Sequence, residues 1–209
     1  MPSLLRLVLA SASPARLHTL RAAGLEPEVI VSGVDEEGVR AADVPGLVRT
    51  LARLKAEAVY AEIGLGSAGS LVIGCDSLLE LDGSGHGKPR SAAEAVDRWR
   101  RMSGRTGVLH TGHHVILGRG DQTTARSEVA STTVQFARMT EPEIAAYVAS
   151  GEPLEVAGAF TIDGRGGPFV TRIEGDHHNV VGISLPLLRL MLADLGVAWT
   201  SLWPSNESC

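Results

Sequence analysis

The residues with the clearest chemical potential are an acid and a hydroxyl that directly follow an apolar run. Residues 71–75 read Leu-Val-Ile-Gly-Cys, and Asp76 and Ser77 come next. A run of this length predicts a buried strand, and open α/β sheets bind their ligands beyond the carboxyl ends of such strands. We therefore expect Asp76 to lie at a strand end and to be the chemical centre of a site. The alternative interpretation is that Asp76 only begins a turn, where Asp is common.

A candidate anion site lies at the start of the first predicted helix. Ser13 is a suitable N-cap, and Pro14 suits the first helical position because its missing N–H would have no partner there. The start of a helix offers free backbone N–H groups and the positive end of the helix dipole, and Arg16 falls in this first turn. The pattern favours an anion site, and its alternative is that Arg16 is a solvated surface charge.

Lys55 lies on the flank of a predicted helix over 46–62. Apolar residues recur in this helix at helical spacing, at Leu47, Leu51, Leu54 and Ala58. Lys55 is therefore expected at the edge of the buried face. The common alternative is a surface lysine whose stem covers apolar surface while its amine stays in water.

Lys88 follows a glycine-rich turn over 82–87. Residues 78–81 and this turn predict a hairpin that returns Lys88 past the end of the central strand. The glycines do not form a Walker phosphate loop. Asp82 stands where the first glycine of that loop belongs, and Pro89 stands where a Ser or Thr would bind magnesium.

A run of three acids, 35–37, is a candidate site for a hard metal ion. It follows a predicted second strand over 28–31. Carboxylate oxygens are the ligands that Mg²⁺ prefers, and one or two of them are often enough when a phosphate supplies the others. The alternative is a solvated loop, and only a second acid brought close in space would decide between the two.

The histidines form the other candidate metal site. His110, His113 and His114 are close in sequence, and two more follow at 177–178. On a strand, alternate residues face opposite sides, so His113 would point away from the other two. The three cannot converge on one ion without a bulge, which disfavours a zinc site built from them.

The rest of the chain predicts the elements that must position these residues. They are a first strand over 4–10, helices that begin with capping boxes at Ser91 and Thr140, long strands over 108–117 and 127–137, a short strand within 156–170, and a final helix over 185–195. The stretch 64–70 predicts a flexible connection. The tail, from about 200 to 209, predicts a disordered end.

The composition of the 209 residues is that of one soluble globular domain, with 44% hydrophobic and 21% charged residues. A net charge of −5 argues against a general nucleic-acid binder, so local Lys and Arg residues must hold any polyanionic ligand. Two cysteines favour a reducing compartment, for which we expect the cytoplasm. The stretch 4–12 superficially resembles a signal peptide but has no basic leader, and no run reaches the roughly 18 to 20 apolar residues that cross a bilayer.

Seven motifs occur in order along the chain: LASASPAR at 9–16, VDE at 34–36, KA at 55–56, IGCDS at 73–77, GKP at 87–89, AGAF at 157–160 and VVGISLPL at 180–187. Together they strongly resemble the Maf family of nucleoside triphosphate pyrophosphatases, also called septum formation inhibitors. The resemblance runs from Leu7 to about Leu195, and it implies a single Maf-like domain over 1–209.

The resemblance implies a mixed α/β fold with an elongated sheet, flanking helices and two lobes around a cleft, similar to the inosine triphosphate pyrophosphatases. It implies hydrolysis of a nucleoside triphosphate to the monophosphate and pyrophosphate with Mg²⁺ or Mn²⁺. It also implies a homodimer and an association with arrest of septum formation. No nucleic-acid or membrane partner is expected.

The resemblance also assigns roles to residues of this chain. Asp76 falls on the family's catalytic acid and Glu36 on its companion carboxylate, and we expect both to hold the metal ion. Arg16, Lys55 and Lys88 fall on phosphate-contacting positions, and Ser77 and Asp163 on positions that select the base. The full set of expected substrate-binding residues is Ser13, Arg16, Lys55, Ser77, Lys88 and Asp163.

Three positions depart from the family pattern. Ala15 stands where a first arginine is common, Val156 replaces a usual lysine, and Asp163 stands where Gln or Glu is usual. The preferred base therefore stays open among pyrimidine, 7-methylguanosine and other modified triphosphates. The alternative of a different class is a non-catalytic nucleotide-binding regulator of cell division, although pure binding would not require the acid at Asp76.

Overall fold

The computed structural model describes residues 5–64 and 69–204. Three predictions from the sequence include residues outside these two ranges. They are the first residue of the opening strand at position 4, the flexible connection across 65–68, and the end of the tail at 205–209.

The chain forms one seven-stranded mixed sheet with helices packed against it, which confirms the expected fold class. The elements are β1 Arg6–Ala10, α1 Pro14–Ala22, β2 Glu28–Val29, α2 Val44–Ile63, β3 Ser70–Leu81, β4 Ser84–His86, α3 Ala92–Met102, β5 Thr106–Arg119, β6 Gln122–Phe136, α4 Glu141–Ala149, β7 Val170–Glu174, α5 His177–Val181 and α6 Leu185–Asp194. The strand order is β2-β1-β3-β5-β6-β7, and β4 pairs with β3. Only the β2-β1 and β1-β3 pairings are parallel among these strands.

Strand β3 is longer than the sequence predicts, and this corrects the expected place of Asp76. The strand continues through Asp76 to Leu81, so Asp76 lies inside it rather than at its carboxyl end. The pairing with β1 stops at Ala10 opposite Gly74, whereas the pairing with β5 continues to Glu80. Asp76 therefore lies just beyond the end of β1, where one side of β3 has no neighbouring strand. The open edge beside Asp76 is thus formed by the end of β1 and not by the end of β3.

Helix α2 packs with its backbone directly against β3 and β5. A Cβ atom added at Gly74 would lie 2.3 Å from the carbonyl oxygen of Ala52, and one added at Gly112 would lie 2.1 Å from that of Val48. Real side chains cannot come so close, so only glycine fits at these two positions. This close approach brings the middle of α2, with Lys55, to the face of β3 that carries Asp76.

Two hydrophobic cores lie along one face of β3, one on each half of the strand. The first contains the side chains of Leu71, Ile73 and Cys75 together with residues of β1, α1 and α6. The second contains Leu79 and Leu81 together with residues of α3, α4 and β6. Ser77 is the polar residue between them on this face. Asp76 lies on the opposite face, where Val72 joins a third core with residues of β1, α2 and β5.

The capping boxes are borne out to different degrees. At Thr140 both reciprocal hydrogen bonds of the box are present. At Ser91 the hydroxyl accepts from the backbone N–H of Glu94, but the carboxylate of Glu94 turns to the N–H of Arg90 at 2.9 Å. The helix begins at the expected residue in both cases, since one N-cap hydrogen bond is enough to satisfy an end group.

The segment 152–181 is where the predicted elements are wrong. The short strand expected within 156–170 is replaced by 3-10 turns at Glu152–Glu155, Ala157–Ala159 and Gly167–Phe169. Strand β7 and the short helix α5 follow, and the sequence did not predict either. Closely spaced glycines and prolines explain the difference, because they favour turns over a continuous strand.

The end of the described chain folds back onto the first hydrophobic core. A 3-10 turn spans Trp199–Leu202, and the indole N–H of Trp203 donates to the carbonyl oxygen of Ala23 at 3.1 Å. Residues 200–204 of the expected disordered tail thus make defined contacts. None of the helices in the described part of the chain combines the length and apolar character that a bilayer span requires.

Candidate active site

A cleft of about 450 Å³ opens where β1 ends, at the junction of the two cores. All residues that the sequence singled out as ligands of substrate or metal line this cleft, namely Ser13, Arg16, Glu36, Lys55, Asp76, Ser77, Lys88 and Asp163. Its volume suits a small organic ligand. Residues from widely separated parts of the chain therefore meet at one place.

A three-residue charge cluster forms the centre of the cleft. The ammonium of Lys55 lies 2.5 Å from Oδ1 of Asp76 and 2.8 Å from Oε1 of Glu36. The Lys55 and Asp76 side chains are 13% and 11% exposed, whereas that of Glu36 is 48% exposed. The interpretations of Lys55 as a solvated surface lysine and of Asp76 as a simple turn residue are therefore wrong. The acids at 35–37 also gain the second nearby acid that their sequence alone could not supply.

The ionisation of Asp76 reflects two opposing effects. Burial raises the pKa of the Asp76 carboxyl, and the positive charges of Lys55 and Arg16 act against that rise. The result is a pKa above the ordinary value for an aspartate. Such a carboxylate is a stronger base than an exposed one, which is the property that a general base needs.

Arg16 is buried and almost completely engaged in hydrogen bonds. Its guanidinium donates to the carbonyl oxygens of Gly182 at 2.8 Å and Cys75 at 2.9 Å, and to the hydroxyls of Ser11 and Ser77 at 3.0 Å each. The solvated alternative for Arg16 is therefore wrong. Four of the five guanidinium N–H groups are used, so a two-pronged contact with a phosphate would require breaking existing bonds.

Ser77 connects Arg16 to a buried polar chain on the face of β3 opposite Asp76. Its hydroxyl lies 2.9 Å from that of Thr111, and the Thr111 hydroxyl donates to the carbonyl oxygen of Asn179 at 3.4 Å. With its proton used in that way, Thr111 accepts from Ser77. The Ser77 oxygen then retains one free lone pair, so it can accept but not donate a hydrogen bond to a ligand.

Lys88 lies at the mouth of the cleft opposite an acid that the sequence did not single out. Its ammonium is 3.7 Å from Oε2 of Glu155, and both side chains are largely exposed. The carbonyl oxygen of Gly87 accepts from the guanidinium of Arg98 at 2.5 Å and from the N–H of Gly158 at 3.1 Å. Arg98 therefore fixes the backbone next to Lys88.

Sequence reasoning missed Glu155 and Arg98 for different reasons. Arg98 follows Glu94 by four residues on α3, and this ion-pair spacing was a usable signal. Glu155 lies in an irregular turn, where no periodicity reports its direction. The histidines are not part of the cleft lining: Nε2 of His113 accepts the N–H of Ser184, and Nδ1 of His114 contacts the hydroxyl of Ser127.

The charge of the cleft favours a cationic co-ligand for a polyphosphate. Among the described residues its lining carries three cations, Arg16, Lys55 and Lys88, and four carboxylates, Glu36, Asp76, Glu155 and Asp163. A highly charged anion would be repelled by this excess of acid unless positive charge entered with it. Ala15 and Val156, two of the positions expected to depart from the family pattern, also line the cleft and bring no charge to it.

The carboxylates at the centre fit a hard divalent cation. Glu36 and Asp76 already converge on the ammonium of Lys55, and such a pair suits Mg²⁺ or Mn²⁺, which take the rest of their ligands from water and phosphate. Within residues 5–64 and 69–204, no group of three or more His, Cys, Asp or Glu side chains forms a complete metal site. The protein alone therefore offers a partial ligand set.

The fold and the cleft define a class of protein: a mixed α/β protein whose site combines a buried carboxylate with cations at an open edge of the sheet. Such a donor set suits a phosphate-bearing ligand that arrives with a metal ion. The model of the family described as Maf-like protein matches residues 6–195. The chain belongs to this family, which confirms the resemblance found in the sequence.

Curated relatives cover nearly the whole chain. A protein of Salinispora tropica is 58% identical over 98% of this chain and 90% of its own length. One of Streptomyces coelicolor is 58% identical over 97% of this chain and 96% of its own. Both carry the name nucleoside triphosphate pyrophosphatase. Among solved structures, the Staphylococcus aureus Ham1 protein matches with a TM-score of 0.40 and 17% identity, over 63% of this chain and 71% of that one.

Proposed function

We propose that this protein is a metal-dependent nucleoside triphosphate pyrophosphatase that uses Asp76 as its general base. The observation that carries the proposal is the buried Asp76 carboxylate, which shares the ammonium of Lys55 with Glu36 in a cleft that Lys88 also lines. The names of the relatives from Salinispora tropica and Streptomyces coelicolor support the same activity.

The reaction is the attack of water on the α-phosphorus. A bond forms between the water oxygen and phosphorus, the bond from phosphorus to the α-β bridging oxygen breaks, and pyrophosphate leaves. Asp76 accepts the proton of the water, because its carboxylate is the buried acid at the centre of the cleft. Lys55 has a second task, because its positive charge opposes the rise in the pKa of Asp76 that burial causes and so favours the ionised carboxylate.

The cations of the cleft and a bound metal ion would together neutralise the negative charge of the triphosphate. Lys55 and Lys88 act as point charges for phosphate oxygens. Glu36 and Asp76 would hold Mg²⁺ or Mn²⁺, which when bound neutralises charge on the phosphates and lowers the pKa of coordinated water. Arg16, whose N–H groups are mostly engaged, holds Ser77 and the Gly182 backbone in place and has one N–H left for a ligand.

Base recognition belongs to the residues of the cleft away from the charge cluster. Ser77 offers a hydrogen-bond acceptor, and Asp163 offers a carboxylate on an exposed turn. Two acceptors favour a base edge that presents N–H donors.

The buried, free thiol of Cys75 is in keeping with a reducing cytoplasm. A homodimer and a part in arrest of septum formation are expected from the resemblance alone.

The test is pyrophosphate release across a panel of ordinary and modified nucleoside triphosphates with Mg²⁺ or Mn²⁺. We expect selective release by the wild type, its loss in EDTA, and a fall of at least about 1000-fold in Asp76→Asn, in line with the loss of a general base and of a metal ligand. Asp43→Asn is the matched control. Asp43 caps α2 outside the cleft, and Asn is an equally good N-cap.

Two results would count against the proposal. Activity that survives in Asp76→Asn would remove Asp76 as the base. A folded wild-type protein that releases no pyrophosphate from any nucleotide would instead favour the non-catalytic regulator, and would point to Ala15 and Val156 as the positions where cations needed for catalysis are missing.

A further inference from the structure

A carboxylate outside the cleft holds the turn that carries Asp163. Glu152 is not among the residues that line the cleft, whereas Thr161 and Asp163 are. Its carboxylate accepts four hydrogen bonds at 2.6 to 3.0 Å, from the hydroxyls of Tyr147 and Thr161 and from the backbone N–H groups of Arg165 and Gly166. Residues on both sides of Asp163 are thereby tied to a single side chain.

The turn wraps tightly around this carboxylate. A Cβ atom added at Gly164 would lie 2.6 Å from Oε2 of Glu152, and one added at Gly166 would lie 2.5 Å from the hydroxyl oxygen of Tyr147. Both glycines are therefore needed for the close approach. Burial raises the pKa of Glu152, but the hydrogen bonds from Thr161 and its other donors outweigh burial and lower it overall, so the group is an anion at neutral pH. Hydrogen bonds to a charged acceptor are stronger than neutral ones.

The anchor is itself fixed to the second hydrophobic core. Tyr147 lies near the end of α4, and its ring packs against those of Trp99 at 5.5 Å and Phe169 at 5.7 Å between centroids. The Tyr147 hydroxyl also accepts the backbone N–H of Thr161 at 3.2 Å. The position of Asp163, which is exposed, is thus set by contacts of its neighbours with a rigid part of the molecule.

We propose that Glu152 is a positioning residue for base selection, which sets the place of Thr161 and Asp163 at the cleft without touching the nucleotide. The inference rests on the proposed function, because base selection has a meaning only if the cleft binds a nucleoside triphosphate. It predicts that loss of the carboxylate changes the ratio of activities between nucleotides. A purely structural role would lower all activities by the same factor.

The test compares Glu152→Gln with Glu143→Gln. Glu143 is a matched control, because its carboxylate also organises a backbone turn, at the start of α4, through two hydrogen bonds from Thr140, but it lies outside the cleft. In Glu152→Gln we expect the ratio of kcat/KM between the best and the second-best nucleotide to fall by about tenfold, since a hydrogen bond to a charged group makes a contribution of that order. Glu143→Gln should keep the wild-type ratio.

Hydrogen exchange gives a second, independent measurement. The backbone N–H groups of Arg165 and Gly166 should exchange faster in Glu152→Gln than in the wild type. In Glu143→Gln the same two groups should exchange at the wild-type rate. Tyr147→Phe removes one of the four donors to Glu152. It should therefore lower the ratio of kcat/KM between nucleotides and speed the exchange, but each by less than Glu152→Gln does. It serves in place of Glu152→Gln if that variant does not fold.

An unchanged ratio in folded Glu152→Gln, with or without faster exchange, would overturn the inference. Slow exchange at Arg165 and Gly166 in that variant would also overturn it. A wild-type protein that hydrolyses no nucleotide would refute the proposed function and base selection with it, whereas hydrogen exchange would still show whether Glu152 holds the turn. The two failures are therefore distinguishable.

Discussion

Replacing Lys55 by Met removes the cation from a buried ion pair and leaves Asp76 without its partner. The Lys55 ammonium is 2.5 Å from the Asp76 carboxylate, and the two side chains are 13% and 11% exposed. Removing one member of such a pair typically costs about 3 to 5 kcal/mol, because the remaining charge is buried without compensation. The contact with Glu36 adds little, since that side chain is 48% exposed and solvent screens it. We expect Lys55→Met to lower the free energy of unfolding by about 3 kcal/mol at neutral pH.

The pH dependence of this loss follows from the pKa of Asp76. Burial already raises that pKa in the wild type, and removal of Lys55 raises it further. An acid whose pKa is higher in the folded than in the unfolded state destabilises the fold when it is ionised, so its cost disappears as the pH falls and the folded carboxyl takes up a proton. The deficit of Lys55→Met should therefore be largest at neutral pH and shrink as the pH falls toward the ordinary aspartate pKa of about 4.

Urea unfolding of four proteins measures the effect: wild type, Lys55→Met, Asp76→Asn and the double variant. In the Asp76→Asn background the lysine substitution should cost about 1 kcal/mol or less, because no buried charge is left behind. Arg53→Met is the matched control on the same helix. Arg53 pairs with Glu57 at 3.5 Å with both side chains about half exposed, and its loss should cost less than about 0.5 kcal/mol.

The reasoning fails if Lys55→Met is no more destabilising than Arg53→Met. It also fails if the deficit is the same in the Asp76→Asn background, because the cost would then come from the lysine stem and not from the unpaired carboxylate. A deficit that grows as the pH falls would contradict the assigned direction of the Asp76 pKa.

Two further predictions concern the packing and the interior of the sheet. Gly112→Ala should lower the free energy of unfolding by about 3 kcal/mol and also reduce pyrophosphate release. The reason is that the added Cβ would lie 2.1 Å from the Val48 carbonyl oxygen and push α2, with Lys55, away from the sheet. An unchanged urea midpoint would contradict this prediction. Burial lowers the pKa of His113 from 6.5 to about 4, so the unfolded chain takes up a proton that the folded chain does not, and stability should fall by about 3 kcal/mol as the pH drops from 6.5 to 4. The free energy of unfolding of wild type and His113→Gln, measured between pH 6.5 and 4, tests this contribution of His113. If the two proteins lose the same stability over that range, His113 does not contribute.

Much of the fold could be predicted from local sequence patterns. The N-caps at Ser13 and Ser91 and the complete capping box at Thr140 begin helices where the sequence indicated. The long strands β5 and β6 confirm the predicted extended hairpin, and α6 confirms the final helix. These signals are reliable because caps and hydrophobic periodicity act between residues that are close in the chain. Over 152–181 such signals are weak, and there the predicted strand was wrong.

The ordered motifs also determined the family of the chain and the types of residue in its cleft. What they could not determine is the state of each charged group. Lys55 and Asp76 are 21 residues apart, and Arg16 and Ser77 are 61 apart, so their burial and pairing depend on how α1 and α2 meet the sheet. Glu155 and Glu152 lie in turns without periodicity, and their partners are visible only in the folded chain.

The sequence by itself determined which residues could do chemistry, because side-chain type and motif order are local properties. The tertiary structure alone decided that Asp76 lies within β3 and yet borders an open site, because that depends on β1 ending at Ala10. It also decided that Lys55 reaches the acid, since glycines at 74 and 112 let α2 approach the sheet. Burial and desolvation, which give the carboxylate its raised pKa, arise only when these distant segments pack together.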